Sequence, residues 1–176
     1  FEIPTGVVAD VVSRKVSVII GHAMIGAGFL VMALWPTFGL ILLSQVIWLK
    51  EGEGRDFLIV DAAMNDLLRP AMYGAHHDIV PVAQPGVAAE VRRVDVVGPV
   101  CESADTFQKG VDLPTLGAGD LIVFRSAGAY GAVMASEYNS RPLVPEVLVS
   151  GDHFAVIRAR PTFEEMLSRD TIPEWL

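Results

Sequence analysis

Hydrophobic and polar positions divide this chain into two textures. Residues 16–35 form an apolar run whose only strongly polar side chain is His22. About 20 residues at 1.5 Å each reach across a hydrocarbon core of ~30 Å, so the pattern predicts a membrane-spanning helix. Gly21, Gly26 and Gly28 suit such a helix, because small residues let neighbouring helices approach closely. Pro36 and Thr37 interrupt the run, and a second apolar stretch, residues 38–49, is too short to span alone.

From Lys50 the pattern changes to short runs between turns. Residues 50–55 read as a polar, hairpin-like turn, and 57–60, 77–82, 91–97 and 121–124 as short strands. Asp66 is a candidate cap for a short helix bearing Leu67 and Leu68, with Pro70 confined to its first turn. Residues 83–89 and 109–119, each with Gly and Pro, read as loops, and 126–131 as a tight small-residue turn. Residues 146–149 and 153–158 flank Ser150, Gly151 and Asp152 as a hairpin. Thr162, with Glu165 three residues on, caps a final short helix over 163–167. The series predicts a mainly β fold, a β-sandwich or barrel, behind an N-terminal apolar α-helical segment. The division falls between residues 1–49 and 50–176.

Charge sharpens that division. The formal net charge is −8, and residues 1–49 contribute nothing to it: Glu2 and Asp10 balance Arg14 and Lys15. The acidic remainder excludes a phosphate-tracking nucleic-acid surface. Mean hydropathy is +0.45, high for a soluble domain, and the excess lies in the first quarter of the chain. A single cysteine excludes an internal disulfide and fits a reducing compartment. The apolar run follows an acid-containing stretch and lacks a small-residue cleavage site, so it does not have a signal-peptide layout. The length suits one domain with an appendage, and Phe1 at the start reads as a piece of a longer reading frame.

Four clusters after residue 50 could carry chemistry. Arg69 and Tyr73 stand one turn apart and could together hold a carboxylate, or form a surface ion pair and a half-buried ring. His76 and His77 follow, but adjacent side chains diverge and no carboxylate cage accompanies them, so they read as structural and no metal is expected. Cys101 and Glu102 sit after Gly98 and Pro99; a lone cysteine also fits a small buried apolar residue. Beside an acid, Cys101 reads as a poor thiolate nucleophile and a reasonable proton donor. The small-residue turn at 126–131 lets a ligand approach the backbone, and Tyr130 can offer its hydroxyl. It matches neither a Walker loop nor a dinucleotide fingerprint. The turn Tyr138-Asn139-Ser140-Arg141-Pro142 reads as structural.

Two resemblances follow from these residues. Gly6, Asp10, Arg14 and Lys15 resemble the loop between the second and third membrane helices of major facilitator transporters. Ser13 stands where that motif has its second glycine, and Val11 where a basic residue is common. This resemblance covers about residues 1–46, one loop and one whole span. A transporter needs many spans about a central cavity, so transport by this chain is not expected.

The runs DAAMNDLLRPAMYGAHHDIVPV, DVVGPVCESAD, GDLIVFRSAGAYG and YNSRP, in this order, resemble the C-terminal part of the diaminopimelate decarboxylase family over about residues 46–170. The resemblance implies the C-terminal β-domain of the alanine racemase-fold decarboxylases. It implies a cytoplasmic, homodimeric enzyme of lysine biosynthesis whose active site lies at the dimer interface. Such an enzyme converts meso-diaminopimelate to L-lysine and carbon dioxide with pyridoxal 5'-phosphate as electron sink. Arg69 and Tyr73 match the residues that hold the substrate's distal carboxylate. Cys101 matches the proton donor delivered from the partner subunit, and Glu102 the residue that binds the distal amino group. Tyr130 matches the tyrosine that lies against cofactor and substrate.

The same resemblance implies what this chain does not show. The family's other half is a (β/α)8 barrel with the Schiff-base lysine and a glycine-rich phosphate site. Lys15, Lys50 and Lys109 are the only lysines, and none stands in a barrel-strand context. The expectation is a chimeric fragment, inactive alone, joined near residues 45–48. The alternatives are a membrane-anchored, non-catalytic binding module with residues 16–49 as anchor, and a transporter fragment with an unrelated tail.

Overall fold

A computed structural model describes residues 40–84, 86 and 89–175. The described chain is mainly β. Its principal sheet has six strands: β1 (Leu42–Lys50), β2 (Asp56–Val60), β3 (Ile79–Pro81), β4 (Val91–Val97), β5 (Thr106–Pro114) and β6 (Leu121–Phe124). They lie in the order β3-β6-β1-β2-β4-β5. Every neighbouring pair is antiparallel except β2 with β4, which is parallel. The sheet curls until its two edge strands, β3 and β5, approach each other, a nearly closed barrel. Of the two architectures left open by the strand pattern, this is the barrel-like one.

The barrel interior is filled by Val46, Leu58, Val60, Val96, Ile122 and Phe124, all fully buried. Phe107 packs on Phe124 with ring centroids 4.5 Å apart and planes tilted by 46°, within the range that aromatic pairs favour. The cluster draws on all six strands of this sheet.

The strand β1 runs across the expected division between residues 49 and 50. Residues 42–50 are not part of a helical anchor: β1 lies in the middle of the sheet, with β2 on one side and β6 on the other. The compact unit that contains the sheet begins at Gly39. Residues 42–49 of the expected anchor 16–49 are therefore strand, and the expected join near residues 45–48 falls inside a paired strand. Among the described residues no helix is long and apolar enough to cross a membrane. The apolar run 16–35 and the transporter-like loop lie outside the described residues.

Three further expectations change. The loop over 109–119 is a strand as far as Pro114. Gly110 adopts φ +64 there, and its N–H donates to the buried carboxylate of Asp95 at 2.8 Å where the β4–β5 register slips. The glycine thus marks a bulge inside a strand. The strand over 77–82 shortens to Ile79–Pro81, because His77 turns inward to the carbonyl of Arg125. Asp66 caps no helix. The helix is α1 (Arg69–Tyr73), and the Asp66 carboxylate accepts the Ala63 N–H of the preceding turn at 2.9 Å.

The hairpin β7 (Glu146–Ser150) and β8 (His153–Arg158) forms a separate two-stranded sheet. Its turn carries Gly151 at φ +58, a conformation that a side chain resists. A short helix, α2 (Ala129–Ala132), and a 3-10 turn at Tyr138–Ser140 lie between β6 and the hairpin. The last helix, α3 (Phe163–Leu167), starts with the expected capping box: Thr162 accepts from the Glu165 N–H, and the Glu165 carboxylate accepts from the Thr162 N–H.

Candidate functional site

Three short segments gather beside one end of the barrel. The first is α1. Pro70 in its first turn lacks an N–H that the helix could not have used anyway, and fixes a helical φ. Gly74 stops the helix in the left-handed region at φ +61, with its N–H bonded to the Pro70 carbonyl. The helix is only five residues long, yet that is enough to hold Arg69 and Tyr73 one turn apart.

The second segment is the loop after β6. Ser126 at φ +55 and Gly128 at φ +61 turn the chain sharply into α2. For Ser126 this conformation is uncommon and strained. The turn presents Tyr130, which is 62% exposed. The Arg69 guanidinium lies over the Tyr130 ring, 6.0 Å from its centroid, at the outer range of a cation–π contact. Arg69 and Tyr130, far apart in the chain, are thereby brought together. Among the described residues Arg69 has no carboxylate partner, and the hydroxyls of Tyr73 and Tyr130 have no hydrogen-bond partner. The alternative of a surface ion pair at Arg69 is not what forms.

The third segment is the turn between β4 and β5, which carries Cys101 and Glu102, both exposed. Cys101 is therefore not the small buried residue that a lone cysteine can be. The turn is closed by Gly98 N–H to Asp105 O at 3.0 Å and Asp105 N–H to Glu102 O at 3.0 Å. The Glu102 carboxylate receives a long contact, 3.5 Å, from the Tyr138 hydroxyl. No hydrogen bond or ion pair among the described residues joins Cys101 or Glu102 to Arg69, Tyr73 or Tyr130. The structure brings the sequence-derived residues together as two groups.

The residues that hold these segments had no evident role in the sequence. Asp105 is 3% exposed, and its carboxylate accepts the Val100 N–H at 2.8 Å and the Met64 N–H at 2.7 Å. Asn65 donates both amide hydrogens, to Asp66 at 3.0 Å and to the Ser136 carbonyl at 3.1 Å. The Ser136 N–H returns a bond to the Asn65 carbonyl at 2.9 Å. Asn65 thus ties the α1 approach to the loop after α2. Arg141 donates to the Asp61 carbonyl at 2.6 Å and stands 3.7 Å from the Asp66 carboxylate. It lines a cleft of about 330 Å³ together with Arg160, Asp61, Asp66, Leu42 and Val144.

Burial raises the pKa of both Asp66 and Asp105 above the usual carboxylate value. The Ala63 N–H and the charges of Arg141 and Arg160 oppose this at Asp66; the Val100 and Met64 N–H groups and Arg141 oppose it at Asp105. Of the two adjacent histidines, His77 is buried with Nδ1 against the Arg125 carbonyl at 3.1 Å, so Nδ1 carries the hydrogen. His76 is exposed beside Asp78 at 3.3 Å. Among the described residues no three metal-ligating side chains lie together.

Residues 39–128 match the family model described as pyridoxal-dependent decarboxylase, C-terminal sheet domain. The chain is 48% identical over 136 residues to a diaminopimelate decarboxylase of Zymomonas mobilis, covering 77% of this chain and 32% of that protein. It resembles the crystal structure of diaminopimelate decarboxylase from Helicobacter pylori complexed with L-lysine, with TM-score 0.67 and 45% identity, covering 73% of this chain and 31% of that one. It also resembles the M. jannaschii diaminopimelate decarboxylase in complex with L-lysine, with TM-score 0.72 and 35% identity, covering 77% and 31%. The chain spans about a third of the length of the curated relatives it matches.

Proposed function

The chain belongs to the pyridoxal-dependent decarboxylases through their C-terminal sheet domain, and from that membership we propose that it supplies the sheet-domain half of a diaminopimelate decarboxylase active site. The reaction is the conversion of meso-diaminopimelate to L-lysine and carbon dioxide. The observation that carries this reading is the set of unpaired donors on one face: Arg69 and Tyr73 one turn apart, with Arg69 over Tyr130. A carboxylate of the substrate fits between the planar guanidinium fork and the Tyr73 hydroxyl. Glu102, exposed beside Tyr138, binds the distal ammonium.

Pyridoxal 5'-phosphate, when bound, draws electron density away from the carbon that loses its carboxylate. The described residues fit one edge of that group: the exposed Tyr130 hydroxyl stands beyond a turn whose Gly128 leaves the backbone bare. They do not supply its lysine. Lys50 and Lys109 are both exposed, whereas a lysine that forms an imine is held desolvated. With no described lysine held in that way, this chain alone is expected to be inactive.

Cys101 acts as the acid. As the carbon–carbon bond breaks and carbon dioxide leaves, the electron pair stays on the carbon, and the Cys101 Sγ–H gives it a proton. Solvent then reprotonates the thiolate. Exposure on a turn lets Cys101 and Glu102 reach the site of a second copy in a homodimer. That division accords with their separation here from Arg69, Tyr73 and Tyr130.

The test combines the 176-residue chain with the remaining two thirds of the Zymomonas mobilis relative and pyridoxal 5'-phosphate, and follows lysine and carbon dioxide. The mixture should be active and each part alone inactive. Cys101→Ala should lower kcat by roughly 10²-fold or more, the range of general acid catalysis. Full activity in Cys101→Ala would remove the proton-donor assignment, and an inactive wild-type mixture would remove the reading.

A further inference from the structure

The turn that bears Cys101 and Glu102 is held by one buried carboxylate. Asp105 uses both oxygens: Oδ2 accepts the Val100 N–H at 2.8 Å and Oδ1 the Met64 N–H at 2.7 Å. Val100 is the residue before Cys101, and Met64 lies in the turn that leads into α1. Gly98 completes the arrangement, since a Cβ at that position would overlap the Asp105 carboxylate. Both partners of Asp105 are backbone donors, so a carboxylate is needed at both ends. An asparagine amide would turn an N–H group toward one of them, and the buried N–H would be left unsatisfied.

We propose that Asp105 is a positioning residue, which clamps the Cys101–Glu102 turn to the segment that launches the Arg69–Tyr73 helix. The role rests on the functional reading given above. With Cys101 offered to the neighbouring copy and Arg69 kept for this chain's own site, the clamp sets the spacing between what is given and what is kept. Asp105 touches no substrate in this scheme and acts only through the turn.

The first test needs no catalysis and uses the full chain. Amide hydrogen exchange is followed at Met64 and Val100, with Leu58 and Val96 as barrel controls, and Cys101 alkylation is timed in parallel. Asp105→Asn should speed exchange at Met64 or Val100 by about tenfold, the effect of one lost hydrogen bond. It should change Cys101 alkylation several-fold and leave Leu58 and Val96 within twofold of the parent. If Asp105→Asn does not fold, Gly98→Ala displaces the carboxylate from the other side and should give the same pattern. Unchanged exchange at both Met64 and Val100, or a parallel rise at all four amides, overturns the proposal.

The second test is a double-mutant cycle in the reconstituted decarboxylase. Asp105→Asn should lower kcat, and the fold-loss it causes should shrink in the Cys101→Ala background, because part of its effect passes through Cys101. Independent, multiplying losses would overturn the positioning role. An inactive wild-type mixture would count against the functional reading alone, since the exchange and alkylation results stand without it.

Discussion

Asp66 and Asp105 are, with Asp95, the buried acids among the described residues, and Arg141 bears on the first two. Burial disfavours their charged forms, so the folded chain keeps their protons to higher pH than the unfolded chain, which releases them near 3.8. Between those two values the folded state binds more protons, and stability from this source falls as pH rises. It is fully present below 3.8 and lost as pH passes the raised folded values. Asp66→Asn removes one such group. In urea unfolding from pH 3.8 toward neutrality, the difference in unfolding free energy, parent minus Asp66→Asn, should therefore decline. A difference that grows with pH would contradict the assignment. At this scale the sequence was readable where chemistry was local. Cys101 and Glu102 stood out as a polar pair after a Gly-Pro turn, and both are exposed. Asp105 lay inside the same motif without distinction, because its task depends on Met64, 41 residues away.

Elements were legible where their signals were short-range. β4 runs over the predicted residues, β7 and β8 flank the predicted turn, and α3 starts at the predicted cap. The cap yields a direct prediction: Thr162→Ala should destabilise α3 by about 0.5–2 kcal/mol. Amide exchange at Glu165 and Met166 should quicken while the barrel amides hold, because α3 has no buried residue. β5 was hidden because Gly110 and Pro114 read as breakers, whereas one serves a bulge and the other ends the strand. β1 was hidden for a different reason. Its burial runs against its hydropathy: Ser44 is 2% exposed and bonded to Asp61 at 2.6 Å, while Leu43, Ile47 and Trp48 are open. The apolar letters of this strand therefore carried no alternation, and the stretch merged with the apolar run before it. The α1 site is readable from Pro70, and its N-cap is Leu68 rather than Asp66.

The whole molecule has two unequal parts after residue 39: a filled barrel and a bare ribbon. Val149 faces Phe154 across the β7–β8 hairpin, 59% and 76% exposed, and Val147, Leu148, Val156 and Ile157 are also open. A lone two-stranded ribbon is marginal in water, and a patch of this kind marks surface that is normally covered. The chain alone should bind an apolar-surface dye, and Phe154→Lys should reduce the signal without moving the thermal midpoint of the barrel. An unchanged signal would place the dye elsewhere. The position of β1 has its consequence in time. Leu42–Lys50 can pair with β2 almost as soon as both are made, but its other edge waits for Phe124 and its neighbours. Closing so long a loop is entropically slow. Until β6 arrives, β1 keeps one unpaired edge in what will be the interior of the sheet. The last event in building this barrel is therefore the filling of its middle, and a ribosome that paused before residue 121 would hold the chain at its most adhesive moment.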